Sequence, residues 1–491
     1  MLLSSSQAFS CDRALNQNYL RGDMHAMTHK IRLLSSSTTT STNAAVSSLI
    51  GSSVVASIAL SAAIALIASP AMAADQALLD ILLSNGAIDQ AQYNELLSKE
   101  ALEEADVVNI GFANGSGLNV KSADGAYEVE IGGRLHLDYI DHSFDSRIGK
   151  DPISGSQVRR GRIEIDGVFD NNWGYAAEFD YAKNKVAIKD IKLGYETDGG
   201  ASLYVGHQKQ PYSLSLEMSS NDIPFVERSA DNYLVATFTD RAIGARYENS
   251  GANWFVAAGI FGDAMSNSDT TGDEGWGTSG RLVYSPIIED ERVLHLGVRG
   301  SYREVDIATP TMQIKDKTTD FSGLSIVNTG ALNDAESATL FGPEMAAVWG
   351  PLYVFAEHTT TQVGRTAAPD LEFSGWHAAA AWSLTGESRA SRYSMSSGEF
   401  KGLRPAKSFD WANGGIGAWE IAARYAAIDL NDGNVMGGTE DALSIALNWY
   451  PNRSVRIMAD WSRVLDTDES NTIRMFAQDM DIFTLRTQWN F

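Results

Sequence analysis

The chain has 491 residues and a formal net charge of −24, with a pI near 4.7, which excludes a nucleic-acid binder because phosphate contacts need a basic face. No apolar run after residue 74 approaches the length of a spanning helix. A mean hydropathy of −0.17 does not exclude a β-barrel, whose strands alternate lipid-facing and water-facing residues.

Leu33 to Ala74 carries no charged residue, Lys30 and Arg32 precede an apolar run from Ser53 to Ser69, and Ala71-Met72-Ala73 follows as a small-x-small cleavage site. Residues 1–73 are therefore expected to be a secretory signal peptide with an extended n-region, cut after Ala73 rather than kept as a membrane anchor. A translation start at Met24 or Met27 leaves both basic residues in place. The only cysteine, Cys11, lies ahead of the cut, so the exported chain has no thiol, disulfide or cysteine-ligated metal. The first 74 residues hold four basic and two acidic side chains, which puts the exported chain at −26.

Within residues 74–105, Leu78, Leu79, Leu82 and Leu83, then Ile88, Tyr93, Leu96 and Leu97, recur at helical spacing. Asn85-Gly86 interrupts them and Asp89 is placed to cap the second run. Two short amphipathic helices are expected, forming a periplasmic spacer, a trimerising or tethering segment, or a partly ordered leader. Residues 106–124 read as a linker.

From about residue 125 the period becomes two. Tyr127, Val129, Ile131, Leu135, Leu137 and Tyr139 alternate with Glu128, Glu130, Arg134, His136 and Asp138. One such strand fits a soluble sandwich as well as a barrel. Its repetition at 162–166, 419–425, 443–449 and 455–461, with turns such as Asp170-Asn171-Asn172, Asn431-Asp432-Gly433 and Pro451-Asn452-Arg453, favours a barrel. Longer polar stretches at Met265–Gly280 and Thr309–Ser337 read as loops of the opposite rim. The last segment puts Phe483, Leu485, Trp489 and Phe491 on one face, as a closing strand with a terminal aromatic assembly signal would. The expected fold is all-β: a transmembrane antiparallel barrel of about 16 strands over 125–491, preceded by a short helical segment.

Several blocks in order resemble the phosphate-selective porin O and P family of Gram-negative bacteria. They are Ile131-Gly-Gly-Arg-Leu135, Val158-Arg-Arg-Gly-Arg-Ile-Glu164, Tyr204-Val-Gly-His-Gln-Lys-Gln-Pro-Tyr-Ser213, Val226-Glu-Arg228, Ser383-Leu-Thr-Gly-Glu387, Gly417 to Tyr425 and Leu447-Asn-Trp-Tyr-Pro-Asn452. The resemblance implies a trimeric barrel of the Gram-negative outer membrane, in contact with lipid and lipopolysaccharide. It also implies a pore narrowed by an inward loop and lined by basic side chains that conduct small anions such as phosphate. Pore-lining candidates are Arg134, Arg159, Arg160, Lys209, Arg228 and Arg303. Arg134 and Arg160 share the polar parity of their strands, whereas Arg159 has the opposite parity. Residues 206–231 are the candidate inward loop, and Glu217 and Asp222 stand where lysines are expected in phosphate-selective members.

No histidine pair has metal-ligand spacing, and neither a Gly-x-Ser-x-Gly elbow nor a phosphate-binding loop occurs. No catalytic residue, cofactor or metal is expected. A weakly selective general porin and a structural barrel that tethers envelope layers remain alternatives to an anion channel.

Overall fold

The computed structural model describes residues 76–96, 108–112, 117–143, 153–262, 274–305, 312–317, 319, 321, 325–467 and 480–491. The signal-peptide reading of 1–73 falls outside them. Helix α1 (Gln76–Ser84) is followed by a second helical stretch at 90–96. There Asp89 Oδ1 accepts the Gln92 N–H at 2.8 Å while Gln92 Oε1 accepts the Asp89 N–H at 3.0 Å, a reciprocal cap.

Residues 106–124, read as a linker, contain a hairpin of β1 (Val108–Phe112) and β2 (Leu118–Ser122), and β2 pairs with the start of β3 (Glu128–Ser143). Its strands were missed because each has only five residues, too few to display a period.

The barrel itself continues with β4 (Ser154–Phe169), β5 (Trp173–Asp180), β6 (Ala187–Glu196), β7 (Ser202–Lys209), β8 (Arg241–Ser250), β9 (Trp254–Phe261), β10 (Gly277–Ile288), β11 (Arg292–Glu304), β12 (Ala335–Trp349), β13 (Leu352–Arg365) and β14 (Leu371–Ser383). A small hairpin, β15 (Tyr393–Ser394) with β16 (Glu399–Phe400), stands apart from the wall. The wall ends with β17 (Ala418–Asp432), β18 (Val435–Tyr450), β19 (Val455–Thr467) and β20 (Asp481–Asn490). Each wall strand pairs antiparallel with its neighbour, and β20 pairs back onto β3 from Asp481↔Ser143 to Asn490↔Arg134. Sixteen strands therefore close a ring and leave no free edge within it.

The alternation sorts side chains as the sequence predicts. Leu137, Tyr139, Leu282, Leu296, Phe483 and Leu485 are exposed on the outer face, where hydrocarbon is the solvent. Trp173, Tyr195, Trp254, Trp349, Trp382 and Trp489 are exposed at strand ends beside the short turns and form an aromatic girdle at that rim. Turns 170–172, 251–253, 289–291 and 350–351 mark the short, periplasmic rim. At the first, Asp170 (φ 51) and Asn171 (φ 63) occupy the left-handed region that these two residue types tolerate best.

Three connections fold into the barrel instead of standing off it. Segment 210–240 joins β7 to β8 and carries helices α2 (Leu214–Glu217) and α3 (Asn232–Thr239). Segment 305–334 joins β11 to β12; its Met312, Ile314, Ile326, Val327 and Leu332 are buried against Leu234, Val235 and Phe238 of α3 and wall residues such as Leu340 and Phe373. Segment 384–417 joins β14 to β17 from the short-turn rim and buries Ala390 and Phe400. Facing these segments, the wall shows small side chains, among them Ala346, Ala379, Ala381, Ala422 and Ala446, in place of the charged residues a wet lumen would carry.

The seam between β20 and β3 is tight. Gly133 and Phe491 exchange backbone hydrogen bonds at 2.8 and 3.1 Å. A Cβ on Gly133 would lie 2.3 Å from the Arg162 carbonyl oxygen and 2.7 Å from the Phe491 ring. Gly133→Val is expected to prevent closure, and deletion of Trp489 to Phe491 to do the same. Both should abolish heat-modifiable, outer-membrane-inserted protein on semi-native gels, and normal levels of it would show that the seam does not control assembly.

Candidate functional site

Segment 210–240 crosses the lumen between two sets of paired charges. At its first end, Glu344 and Glu357 sit opposite each other on β12 and β13. Glu357 accepts from the Ser213 hydroxyl (2.6 Å) and the Ser215 N–H (2.6 Å), while Glu344 accepts the Leu214 N–H (3.0 Å). Two adjacent carboxylates in a dry site repel unless neutralised. Arg281 meets Glu344 at 2.8 Å, and Arg299 meets Glu344 at 3.2 Å and Glu357 at 2.5 Å, with all four side chains at most 2% exposed.

At the second end Glu227 receives Arg159 (2.8 and 3.1 Å), Arg160 (3.4 Å) and Arg486 (2.9 Å), and Arg486 also grips Asp138 at 2.7 Å through two nitrogens. Burial alone would raise the Glu227 carboxyl, but Arg159, Arg160 and Arg486 outweigh it and hold the group well below the usual carboxylate range. Arg159 reaches inward despite its parity because β3 and β4 slip register at this point: His136 pairs with Arg160 and Leu137 with Val158, so Arg159 is the extra residue of a bulge.

Between its ends the segment touches the opposite wall. Arg134 donates to Ser219 Oγ at 2.9 Å and pairs with Glu164. His136 meets Asn221 at 2.9 Å, and Arg456 donates to the Ile223 carbonyl at 2.9 Å. Glu217 pairs with Arg246 at 3.1 Å, which holds its carboxyl down against the opposing effect of burial. Asp222 accepts the Gly402 N–H at 2.8 Å, and Arg389, paired with Glu420 at 2.8 Å, donates to the Asp222 carbonyl at 3.0 Å. The loop from one rim is thereby tied to segment 384–417 from the other.

A cavity of about 630 Å³ lies between these two elements and the wall of β3–β8 and β18–β20. Thirteen basic and seven acidic side chains line it, a formal surplus of six positive charges in a chain of −24. Five of the carboxylates are spent on arginines: Glu164, Glu178, Asp190, Glu217 and Glu248. Four cations at the periplasmic end, Arg392, Lys401, Arg404 and Arg453, have no carboxylate in ion-pair range among the described residues. On the other side of the loop a cavity of about 80 Å³ opens between 226–230, segment 305–334 and the wall, and Arg228 lines both spaces.

Of the candidates from the sequence, Arg134, Arg160, Lys209 and Arg228 come together on the larger cavity. Lys209 donates to the Leu216 and Glu217 carbonyls (2.8 and 2.6 Å) and Arg228 to those of Ser215 and Met218 (2.6 and 2.8 Å), so neither is neutralised by a carboxylate contact. Arg159 lies behind Glu227 and does not line the cavity, and Arg303, at the end of β11, donates to the Gly262 carbonyl at 2.7 Å. Glu217 and Asp222 do line it. Sequence reasoning missed Glu344, Glu357 and the basic set on 384–417. The available signal was Glu344 and Glu357 standing as the carboxylates on lumen parity among uncharged residues, Ala338, Leu340, Gly342 and Ala346 on β12 and Tyr353, Phe355, Thr359 and Thr361 on β13. Among the described residues no group of three histidines, cysteines or carboxylates is placed to hold a metal ion.

A closed barrel with a lipid-facing exterior, an aromatic girdle and a charged, loop-narrowed lumen defines an outer-membrane porin, a channel rather than an enzyme. The family model described as phosphate-selective porin O and P matches residues 129–491, and the chain belongs to that family. It is a porin of the Gram-negative outer membrane that passes anions by diffusion. Porin O of Pseudomonas aeruginosa is 27% identical over 427 residues, 79% of this chain and 93% of its own length. A protein of Caulobacter vibrioides is 29% identical over 331 residues, 65% of this chain and 64% of its own. Among solved structures, the anion-selective porin from Comamonas acidovorans aligns with 74% of this chain and 100% of its own at 12% identity and a TM-score of 0.48. The outer membrane channel DcaP of Acinetobacter baumannii aligns with 76% and 99% at 12% identity and a TM-score of 0.47.

Glu357→Ala would leave Arg299 with one carboxylate and two loop donors without an acceptor. Breaking a buried pair costs roughly 3–5 kcal/mol. The variant is expected to release the first end of the loop, giving larger and noisier single-channel steps and a lower urea midpoint in detergent. Unchanged steps and midpoint would show that the pair does not hold the loop.

Proposed function

We propose that the channel selects phosphate-type oxyanions by presenting cations that no carboxylate neutralises, and that it works as a homotrimer whose outer loops meet lipopolysaccharide. The observation that carries this reading is the positive surplus of the lumen cavity in a strongly acidic chain. In a confined, partly low-dielectric space a fixed charge acts over a longer distance than at the surface. An anion passing Arg228 from the smaller cavity enters one whose far end holds Arg392, Lys401, Arg404 and Arg453. The guanidinium forks suit oxyanions, which accept two hydrogen bonds at once. Arg134, Arg159 and Arg160 serve chiefly to hold Glu164 and the loop residue Glu227. The seven carboxylates on the cavity favour moderate rather than absolute anion preference.

Lys401→Glu combined with Arg404→Glu is expected to lower the anion preference most of all in dilute salt, where the screening length is about 30 Å at 0.01 M. Lys315→Glu, exposed on segment 305–334, should do little. Planar-bilayer reversal potentials in potassium chloride and potassium phosphate gradients decide it. If the double variant matched the unmodified channel, the unpaired cations would not be its selectivity filter.

A further inference from the structure

We propose that Glu399 is a selectivity-determining residue of this channel: a carboxyl group held by the periplasmic insertion against the basic cavity without a cationic partner, whose charge sets how strongly the cavity prefers anions. The inference rests on the anion-conducting role of that cavity argued above.

Among the seven acidic side chains on the cavity, five are ion-paired and Asp222 accepts the Gly402 N–H. The Glu399 carboxyl has neither a salt bridge nor a hydrogen bond among the described residues, and the residue is only partly buried where it lines the cavity. Its position is fixed from both sides. Arg281 donates to the carbonyls of Ser397 (3.2 Å) and Gly398 (2.8 Å). Gly398 has φ +61 and packs so closely on Val283, Arg281 and Phe255 that a Cβ would lie 3.2–3.3 Å from them. Phe400 is fully buried against Tyr393 and Tyr353, with ring centroids 4.5 and 5.0 Å apart. Tyr393 is itself fastened through its hydroxyl to Ser285 (2.7 Å) and His295 (2.9 Å). A residue between two such fixed neighbours cannot swing away from the lumen.

The charged groups that face Glu399 come from four elements: Glu217 of the inward loop, Lys209 of β7, Arg246 of β8 and Arg281 of β10. Arg246 and Arg281 are committed to Glu217 and Glu344, and Lys209 to two carbonyls. None of the three is left to pair with Glu399, while Glu217 repels its ionised form. Burial and Glu217 together push the Glu399 carboxyl up to about 7. It ionises as pH rises through that value, and each ionised Glu399 removes one unit from the positive surplus of the cavity. Anion preference should therefore be greatest on the acid side and decline with rising pH.

The test is the chloride-to-potassium permeability ratio of the full channel in bilayers, from about pH 5.5 to about pH 7.5, a window above the ordinary carboxyl range and below the Lys209 ammonium of the same cavity, which burial and Arg241 bring down to about 8. The unmodified channel should lose anion preference with a midpoint near 7. Glu399→Gln should lose most of that decline, the remainder belonging to Lys209 of the same cavity, which burial brings down to about 8, and to Asp316 of the smaller cavity, which burial pushes up to about 7. Glu399→Asp should keep a pH-dependent decline, and Asp290→Asn, the same charge change on an exposed periplasmic turn outside the cavity, should follow the unmodified channel. Glu399→Ala, checked for heat-modifiable trimer, provides a second neutral variant. An anion-preferring channel whose ratio does not change with pH, or whose decline is undiminished in both Glu399→Gln and Glu399→Ala, overturns the assignment of Glu399 alone. A channel without anion preference at any pH would instead overturn the function on which it rests.

Discussion

The lumen depends on one constraint, that charges buried inside a barrel must be paired. The inward loop carries backbone donors and the carboxylates Glu217, Asp222 and Glu227 into a space that excludes most water, and each needs a partner there. Glu344 and Glu357 satisfy the start of α2, and Arg281 and Arg299 satisfy those carboxylates in turn. Glu227 satisfies three arginines at the other end. Removing one member would strand its partners, at a cost on the order of 3–5 kcal/mol, so the loop has a single well-determined course. The ring of sixteen strands supplies the rigid frame that keeps both ends at a fixed separation.

The same pairing explains which charges are left to act on a solute. Most arginines in the lumen have a carboxylate within 4 Å, and such a pair presents a dipole rather than a net charge. Arg228, Arg424 and Arg456 are instead held by backbone carbonyls, and four further unpaired cations gather where the two inward elements meet. Arg392, Lys401 and Arg404 belong to segment 384–417, and Arg453 to the adjacent turn of the same rim. The bond from Gly402 to Asp222 and the one from Arg389 to the Asp222 carbonyl hold that segment against the loop. Narrowing the pore and setting its charge are therefore done by the same contact between elements from opposite rims.

How much of this the sequence shows follows from how local each feature is. The wall was legible because a period of two is written into successive residues, and the parity of Phe483, Leu485 and Trp489 gave the closing strand its outer face. Arg134 and Arg160 were placed in the lumen by the same parity. Arg159 was not, because a bulge cancels parity and depends on the register of β3 against β4. Segment 305–334 looked polar throughout, yet Ile314 and Val327 are fully buried, since apolar residues that pack on a second inward loop have no strand or helix period to reveal them. Segment 384–417 escaped for a different reason: it leaves from the rim where turns are short. The pairs that fix the loop join residues far apart in the chain, 144 positions for Ser213 with Glu357, 259 for Glu227 with Arg486 and 68 for Glu227 with Arg159. No local pattern encodes those distances.

The acidic composition of the chain and the basic surplus of its lumen also stop being in conflict once distance is considered. At physiological salt an exposed charge is screened beyond about 8 Å. Carboxylates on loops and rims in contact with water, such as Asp290, Glu372 and Asp432, thus contribute little potential inside the wall. A cation within the narrow cavity is screened far less, because few mobile ions share that space and the wall is of low dielectric. Net charge therefore describes the water-facing exterior of this protein. What an anion encounters is set by the side chains on the cavity that remain after each buried carboxylate has taken its arginine.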